Sequence, residues 1–433
     1  MPLYKFQKED IHFWKKNLNG RGIFAWECGT GKGYLGAMLL KKAEDSGKKT
    51  LILTSRSLVE DWKDNARAFG ISLNELGGKK QSDSIGIITT YDMAKKLNEC
   101  FDLIIADECH KIKSSTSKRG RHFQKLAKKS KYVLMMTGTL SNNRDPDEFL
   151  NYLWSINTPD IIQSLPPNIT RYREEYGKQV KNKHIKFPLW YSSKKGATII
   201  NSLMKKYVRV RKLTDEIDMP PYIEKIMRVE SEYDVNSQLK ALATEMDLNV
   251  AMNTKDFHIN HALMIGSGID FITKEIHNNI KLEEIKNIIE KSGQVVVWFY
   301  WKAYGKYLGE KIDSSIVIDG DVAPTKRQKI VKEFKEGKFK VLIASQGTLA
   351  EGFNIQNANV QIFANIYYDS IKYYQSISRL YRNGQKNRVV TYVLIGKGSL
   401  EEAAWKVLSQ KMDMQRANSY MSGVLMKRFK EMK

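Results

Sequence analysis

Two short stretches carry residue types that handle phosphate and metal. The first is Ala25-Trp26-Glu27-Cys28-Gly29-Thr30-Gly31-Lys32-Gly33, which follows a short apolar segment and precedes a helix-like run over 34–40. A strand, a glycine-rich turn and a helix wrap backbone N–H groups and a lysine around phosphates. The second is Asp107-Glu108-Cys109-His110, after the buried-strand run Phe101-Asp102-Leu103-Ile104-Ile105-Ala106. It delivers two carboxylates to a strand end, one able to hold Mg²⁺ and the next able to orient a water. Together they point to nucleoside-triphosphate hydrolysis, and the pair weighs more than either half. The strict phosphate-loop pattern wants Gly at position 26 and Ser or Thr at 33. This chain has Trp26 and Gly33, so the hydroxyl that touches Mg²⁺ is missing. Taken alone, residues 29–33 also read as an ordinary strand–helix turn.

Holding these groups at strand ends requires a sheet. Through the first half, strand-like and helix-like runs alternate. Thr50-Leu51-Ile52-Leu53-Thr54 is followed by a helix over 58–69, with Ser57 as N-cap and Glu60 closing a capping box. Ser84-Ile85-Gly86-Ile87-Ile88-Thr89-Thr90 precedes a helix over 91–97; a strand over 103–106, a helix over 118–128 and the strand Tyr132-Val133-Leu134-Met135-Met136-Thr137 follow. Apolar strands in β-α alternation imply a parallel sheet covered on both faces. Residues 145–285 read as helix-rich and aromatic-studded, with few strand signals. The alternation returns with strands over 294–299, 316–318, 340–344, 360–364 and 389–395 and helices over 325–336 and 371–382. On the last helix Arg379 and Arg382 stand three apart, hence on one face. The fold class is α/β. The expected divisions are 1–155, a helix-rich insertion and linker over 156–285, a second parallel-sheet domain over 286–400 and a helical tail over 401–433.

A chain of 433 residues suggests two or three domains. Its 42% hydrophobic and 27% charged residues are those of a soluble globular protein. No apolar run approaches the ~20 residues of a membrane span, and Met1-Pro2-Leu3-Tyr4-Lys5-Phe6-Gln7 lacks an apolar signal core. A cytosol-like compartment and no membrane partner are therefore expected. Cys28, Cys100 and Cys109 offer no paired spacing, so neither a structural zinc nor a disulfide framework is expected. Cys28 and Cys109 sit inside the two nucleotide motifs, where oxidation would bear on activity unless they are buried filler. The net charge of +23, from 71 Lys and Arg against 48 acids spread along the chain, fits an extended polyanion track. Nucleic acid is the natural partner, against a lysine-rich compositional bias.

From about residue 3 to residue 415, in order and spacing, the chain resembles superfamily 2 helicases and, within them, the Swi/Snf-type DNA translocases. The resemblance implies two tandem RecA-like parallel-sheet domains, ATP and Mg²⁺ as cofactors, and DNA held by its backbone largely regardless of sequence. Leu3-Tyr4-Lys5-Phe6-Gln7-Lys8-Glu9-Asp10-Ile11 is similar to the Q motif, which gives Gln7 the adenine edge. Gly29, Thr30, Gly31, Lys32 and Gly33 would form the phosphate loop, with Lys32 on the β- and γ-phosphates. Asp107 would carry Mg²⁺ and Glu108 would polarise the attacking water. Thr54 and Ser55, then Thr89 and Thr90, resemble two backbone-gripping motifs, and Thr137-Gly138-Thr139-Leu140 the motif that couples hydrolysis to domain movement. Arg209 to Pro221 resembles the Swi/Snf-type linker. Asp319-Gly320 followed by Arg327 is similar to the Gly…Arg segment. Residues 345–356 resemble motif V, which gives Ser345 and Asn354 to nucleic acid and Gly352 to the nucleotide. Gln375-Ser376-Ile377-Ser378-Arg379-Leu380-Tyr381-Arg382-Asn383-Gly384-Gln385 resembles motif VI, whose Arg379 and Arg382 would reach the γ-phosphate across a cleft.

The chain departs from the family pattern at Gly33, at Trp26 where the branch usually has an acid, at Cys109, and at Ala350-Glu351-Gly352. The leading expectation is a monomeric ATP-driven motor on branched or forked DNA in replication or recombination. A translocase that remodels protein–DNA complexes, a catalytically weak nucleic-acid scaffold and an RNA helicase are the alternatives. A strand-splitting wedge would be sought in 160–200, where Trp190 and Tyr191 otherwise read as a packed brace. The lean, lysine-rich chain without reader modules suggests a virus or phage source, hence a host cytosol.

Overall fold

The computed structural model describes residues 3–76, 86–138, 140, 146–180, 189–230, 234–248, 255–270, 272–277, 279–349, 353–412 and 414–432. The chain divides into two compact units, Met1–Asp218 and Met219–Lys433.

The first unit carries, in chain order, Arg21–Trp26 (β1), Thr50–Thr54 (β2), Asn74–Glu75 (β3), Gly86–Thr90 (β4), Leu103–Asp107 (β5), Tyr132–Thr137 (β6), Gly177–Val180 (β7), Leu189–Ser192 (β8) and Val208–Arg211 (β9). Seven of these form a parallel sheet in the order β3-β4-β2-β5-β6-β1-β9, and β7 pairs antiparallel with β8. Every residue of β2 and β5 is buried, as strands covered on both faces must be. Side chains alternate between two cores. Leu51, Leu53, Ile104, Ala106, Val133 and Met135 face one, against helices Lys118–Lys129, Leu150–Ile156 and Lys194–Tyr207. Ile52, Leu103, Ile105, Leu134 and Met136 face the other, against Lys5–Lys16, Lys32–Glu44 and Val59–Arg67.

The second unit carries Tyr222–Val229 (β10), Val295–Phe299 (β11), Ser315–Ile318 (β12), Val341–Ser345 (β13), Val360–Phe363 (β14) and Val389–Gly396 (β15). They form a second parallel sheet in the order β10-β15-β14-β11-β13-β12. The helices Glu401–Ser409 and Met414–Met432 close one face, with Val407, Leu408, Leu425 and Phe429 in the core.

Several expectations change. Residues 156–218 belong to the first unit and the rest of the expected insertion to the second. β10 is a full strand, paired with β15 from Tyr222↔Val389 to Val229↔Gly396. As an edge strand it is half polar, so its apolar signal is diluted in sequence. Ser57 is not an N-cap: it lies in the tight turn Arg56–Leu58, and the helix starts at Val59 with no side-chain cap. The helix expected over 91–97 is a short turn, Met93–Lys96. The helix expected to reach residue 382 ends at Ile377. Ser84, Ile85 and Thr139 lie outside the described residues.

Candidate nucleotide site and nucleic-acid face

Strand β1 ends in a turn that only glycine adopts easily. Gly29 and Gly31 have φ of +87° and +82°, a region costly for side chains with a Cβ. A Cβ at Gly31 would lie 2.8 Å from Gln7 Nε2. The helix Lys32–Glu44 starts directly after, without a side-chain cap, the arrangement that leaves helical N–H groups for an anion. Lys32 Nζ donates to the Trp26 and Glu27 carbonyls at 2.6 and 3.0 Å. Gln7 is buried; its Nε2 donates to Thr30 O at 2.9 Å, and its Oε1 accepts from Tyr4 N. The Q-motif amide thus holds the phosphate loop directly.

Strand β5 delivers Asp107 beside this loop. Its Oδ2 accepts from the Trp62 indole at 2.8 Å and its Oδ1 from Glu108 N at 3.0 Å. Burial pushes the Asp107 carboxyl up and the Glu108 charge adds to this; the Trp62 bond and the Lys32 charge oppose them, leaving it at about 6. Glu108 takes a left-handed backbone, φ 50° and ψ 47°, a conformation costly for a non-glycine residue and common at functional sites. Its Oε2 lies 3.2 Å from His110 Nδ1, which in turn lies 3.3 Å from Thr137 Oγ1. The carboxylate is thereby linked to the end of β6. A Cβ on Gly138 would stand 2.9 Å from Cys28 Sγ and 3.8 Å from Lys32 Nζ, so Gly138 rests on the glycine-rich turn. Cys109 is fully buried, and burial followed by the Glu108 and Asp107 charges holds its thiol well above the usual range. It is inert filler.

A second site lies at the ends of β2 and β4, whose register sets Thr54 opposite Thr90. A cavity of about 360 Å³ is lined there by Thr54, Ser55, Arg56, Thr90, Lys111 and Arg119, with Tyr91 and Asp92. The hydroxyls of Thr54 and Ser55 are buried without a hydrogen-bond partner. Such groups are costly unless a ligand or water satisfies them. Asp92 holds Arg119 through two bonds of 2.7 Å. Thr89 is buried in the sheet and does not line the cavity.

In the second unit, Ser345 ends β13, and exposed Asn354 accepts from Gln356 N at 3.3 Å. Gly352 lies outside the described residues. Arg379 and Arg382 stand beyond the helix Ser370–Ile377, not on its face. The helix tightens after Ile377: Arg379 N donates to Ser376 O and Leu380 N to Ile377 O. Arg379 is buried, with Nε on Gln375 O and a terminal nitrogen on Phe353 O at 3.3 Å. It ties motif VI to the end of motif V, while Arg382 is half-exposed.

Sequence reasoning did not assign roles to Trp62, His110, Arg119, Lys111 or Asp10. His110 sits within the quoted Asp107-Glu108-Cys109-His110 stretch, so its position was marked without its partners.

Residues 1–142 match the family described as type III restriction enzyme, res subunit, and residues 280–384 match the helicase conserved C-terminal domain. The uncharacterized ATP-dependent helicase YqhH of Bacillus subtilis is 26% identical, over 92% of this chain and 76% of its own length. The DNA annealing helicase and endonuclease ZRANB3 of Homo sapiens is 24% identical, over 94% of this chain and 40% of its own. The chain is similar to Swi/Snf-type superfamily 2 helicases. The SWI/SNF-related matrix-associated actin-dependent regulator of chromatin subfamily A-like protein 1 of Xenopus tropicalis is 22% identical over 95% of this chain, which spans 44% of that relative. A Sulfolobus solfataricus SWI2/SNF2 ATPase core in complex with dsDNA aligns over the whole chain at TM-score 0.45 and 17% identity. The chain spans less than half the length of the ZRANB3 and chromatin-regulator relatives. Among the described residues, no helix is long and apolar enough to cross a membrane.

Proposed function

We infer that this helicase hydrolyses ATP and couples the hydrolysis to movement along DNA, gripping the backbone. The observation that carries the DNA half is the cavity at the ends of β2 and β4. Two buried hydroxyls without partners, on Thr54 and Ser55, face Arg56, Lys111 and Arg119. Hydroxyl donors ringed by cations suit a phosphodiester and carry no sequence information.

For the ATP half, Lys32 and the N–H groups after Gly31 take the β- and γ-phosphates. Gln7, already on the loop, has a second amide N–H and a second acceptor lone pair for the adenine edge. The donor set at Asp107 fits a hard cation: each oxygen takes one neutral N–H and keeps a lone pair. Mg²⁺ held there would neutralise phosphate charge. Gly33 leaves Asp107 as the protein's main ligand, so weak Mg²⁺ affinity is expected. Glu108, held toward His110, orients the attacking water. Arg379 and Arg382 serve the γ-phosphate, Gly352 serves the nucleotide, and Ser345 and Asn354 serve the DNA backbone.

Forked or branched DNA is the favoured substrate, in keeping with the annealing-helicase name of one relative. Remodelling of protein–DNA complexes is the second reading, favoured by the chromatin-regulator name of another. Steady-state ATP hydrolysis tests both, without DNA and with single-stranded, duplex, forked and four-way-junction DNA, with Lys32→Ala as blank. Highest stimulation by forks or junctions supports the first reading and equal stimulation by plain duplex the second. No rate above the blank would mean that Gly33 has disabled the site.

A further inference from the structure

Strand β1 ends on Trp26, a neutral residue next to two arginines of β9. In the β1–β9 register Trp26 stands beside Arg211. Arg209 and Arg211 both turn toward this edge, and a tryptophan neutralises neither. Asp10, from the helix Lys5–Lys16, does so. It is fully buried, and four donors surround it. Arg209 Nε and a terminal nitrogen of Arg211 reach Oδ1 at 2.8 Å each. Arg211 Nε and Trp26 Nε1 reach Oδ2 at 3.1 and 2.9 Å.

The same helix face holds the nucleotide loop. Gln7 precedes Asp10 by three residues, so both project from one side, and Gln7 Nε2 donates to Thr30 O. A second tie runs in parallel. Glu27 Oε2 accepts from Leu213 N at 2.8 Å, and Glu27 N donates to Arg211 O at 2.9 Å. Displacement of the loop therefore reaches β9 by two routes. Beyond β9 the chain runs to Met219, where the second unit starts.

We propose that Asp10 is a positioning residue that ties β9 to the helix holding the phosphate loop and transmits nucleotide binding to the linker. The Trp26 indole N–H caps the same carboxylate from the strand side. Removing the charge leaves Arg209 facing a neutral amide and Arg211 with Glu216 at 2.7 Å and Glu9 at 3.4 Å as its carboxylate partners. The loop still binds nucleotide, and β9 follows it through the Glu27 tie alone. This inference rests on the ATP reading above.

The test is nucleotide-dependent hydrogen exchange of residues 208–213 in the full chain, with a non-hydrolysable ATP analogue, alongside DNA-stimulated ATP hydrolysis. In the native chain the analogue slows exchange there by about tenfold. In Asp10→Asn that protection falls to about threefold and the DNA stimulation falls severalfold, while analogue affinity changes less than about threefold. Adding Trp26→Asp to Asp10→Asn restores protection, which a purely structural role would not require. Should Asp10→Asn fail to fold, half-exposed Arg209→Gln removes one partner and must shift protection the same way. Full protection in Asp10→Asn or Arg209→Gln, no protection in the native chain, or a folded double variant without rescue overturns the proposal. Protection without DNA-stimulated hydrolysis would leave this inference standing and remove the DNA-motor reading.

Discussion

The Trp62 indole N–H donates to Asp107 Oδ2 at 2.8 Å. The helix Val59–Arg67 thereby orients the carboxylate at the end of β5. Gly36 makes this possible: a Cβ there would stand 2.3 Å from the Trp62 ring, so the indole slides beneath the phosphate-loop helix.

Trp62→Phe keeps the packing and deletes the bond. Partners that orient a metal-binding carboxylate are worth about 10–100-fold in metal affinity. We expect the Mg²⁺ concentration for half-maximal hydrolysis to rise about 10-fold, with a small change in melting temperature. An unchanged Mg²⁺ dependence would remove Asp107 as the metal carboxylate or Trp62 as its guide.

At the cavity, Asp92 holds Arg119, and on the proposed reading a DNA phosphate would compete for the same guanidinium. Arg119→Ala should weaken duplex binding and reduce the log–log salt slope by about 1. Asp92→Asn frees the guanidinium and should tighten binding. Opposite signs in a salt titration identify a phosphate contact; equal signs would make the pair purely structural.

Arg379 and Arg382 should separate. Arg379→Ala strips the ties to Gln375 O and Phe353 O and should cost about 2–3 kcal/mol of stability. Arg382→Ala should leave the melting temperature nearly unchanged and reduce DNA-stimulated turnover far more than nucleotide affinity. Loss of nucleotide binding with DNA stimulation intact would refute the γ-phosphate role.

Asp160 links the helices Pro159–Ser164 and Lys194–Tyr207, accepting from Lys206 Nζ at 2.7 Å and Tyr207 Oη at 2.6 Å. Burial pushes its carboxyl up, but the bonds from Lys206, Tyr207 and Thr158 outweigh that and hold it at about 2. The ionised form is thus favoured by folding. Its contribution is full above the unfolded value of about 3.9 and fades as pH falls toward 2. Asp160→Asn should cost about 1 kcal/mol at neutral pH, allowing for solvent screening, and the difference should shrink across that window in urea titrations. A pH-independent difference would deny the carboxylate this role.

The strands that carry the nucleotide site were legible because parallel strands are apolar on both faces, as in Leu103 to Asp107 and Val295 to Phe299. Lys32, Asp107 and Glu108 were legible from residue type at a strand end. Asp10 was not: its partners Arg209 and Arg211 lie about two hundred residues away, and only the β1–β9 register joins them. β10 was hidden by its polar edge. The end of the helix at Ile377 was also hidden, since Ser378 and Arg379 bond back to Gln375 O without any Gly or Pro to mark the stop.

Movement along DNA is measured most directly by displacement of a third strand from a duplex bearing a triplex block, with Glu108→Gln as the inactive control. We expect displacement that requires ATP, grows with duplex length ahead of the block as a lag, and vanishes in Glu108→Gln. DNA-stimulated hydrolysis without displacement would contradict the coupling of hydrolysis to movement.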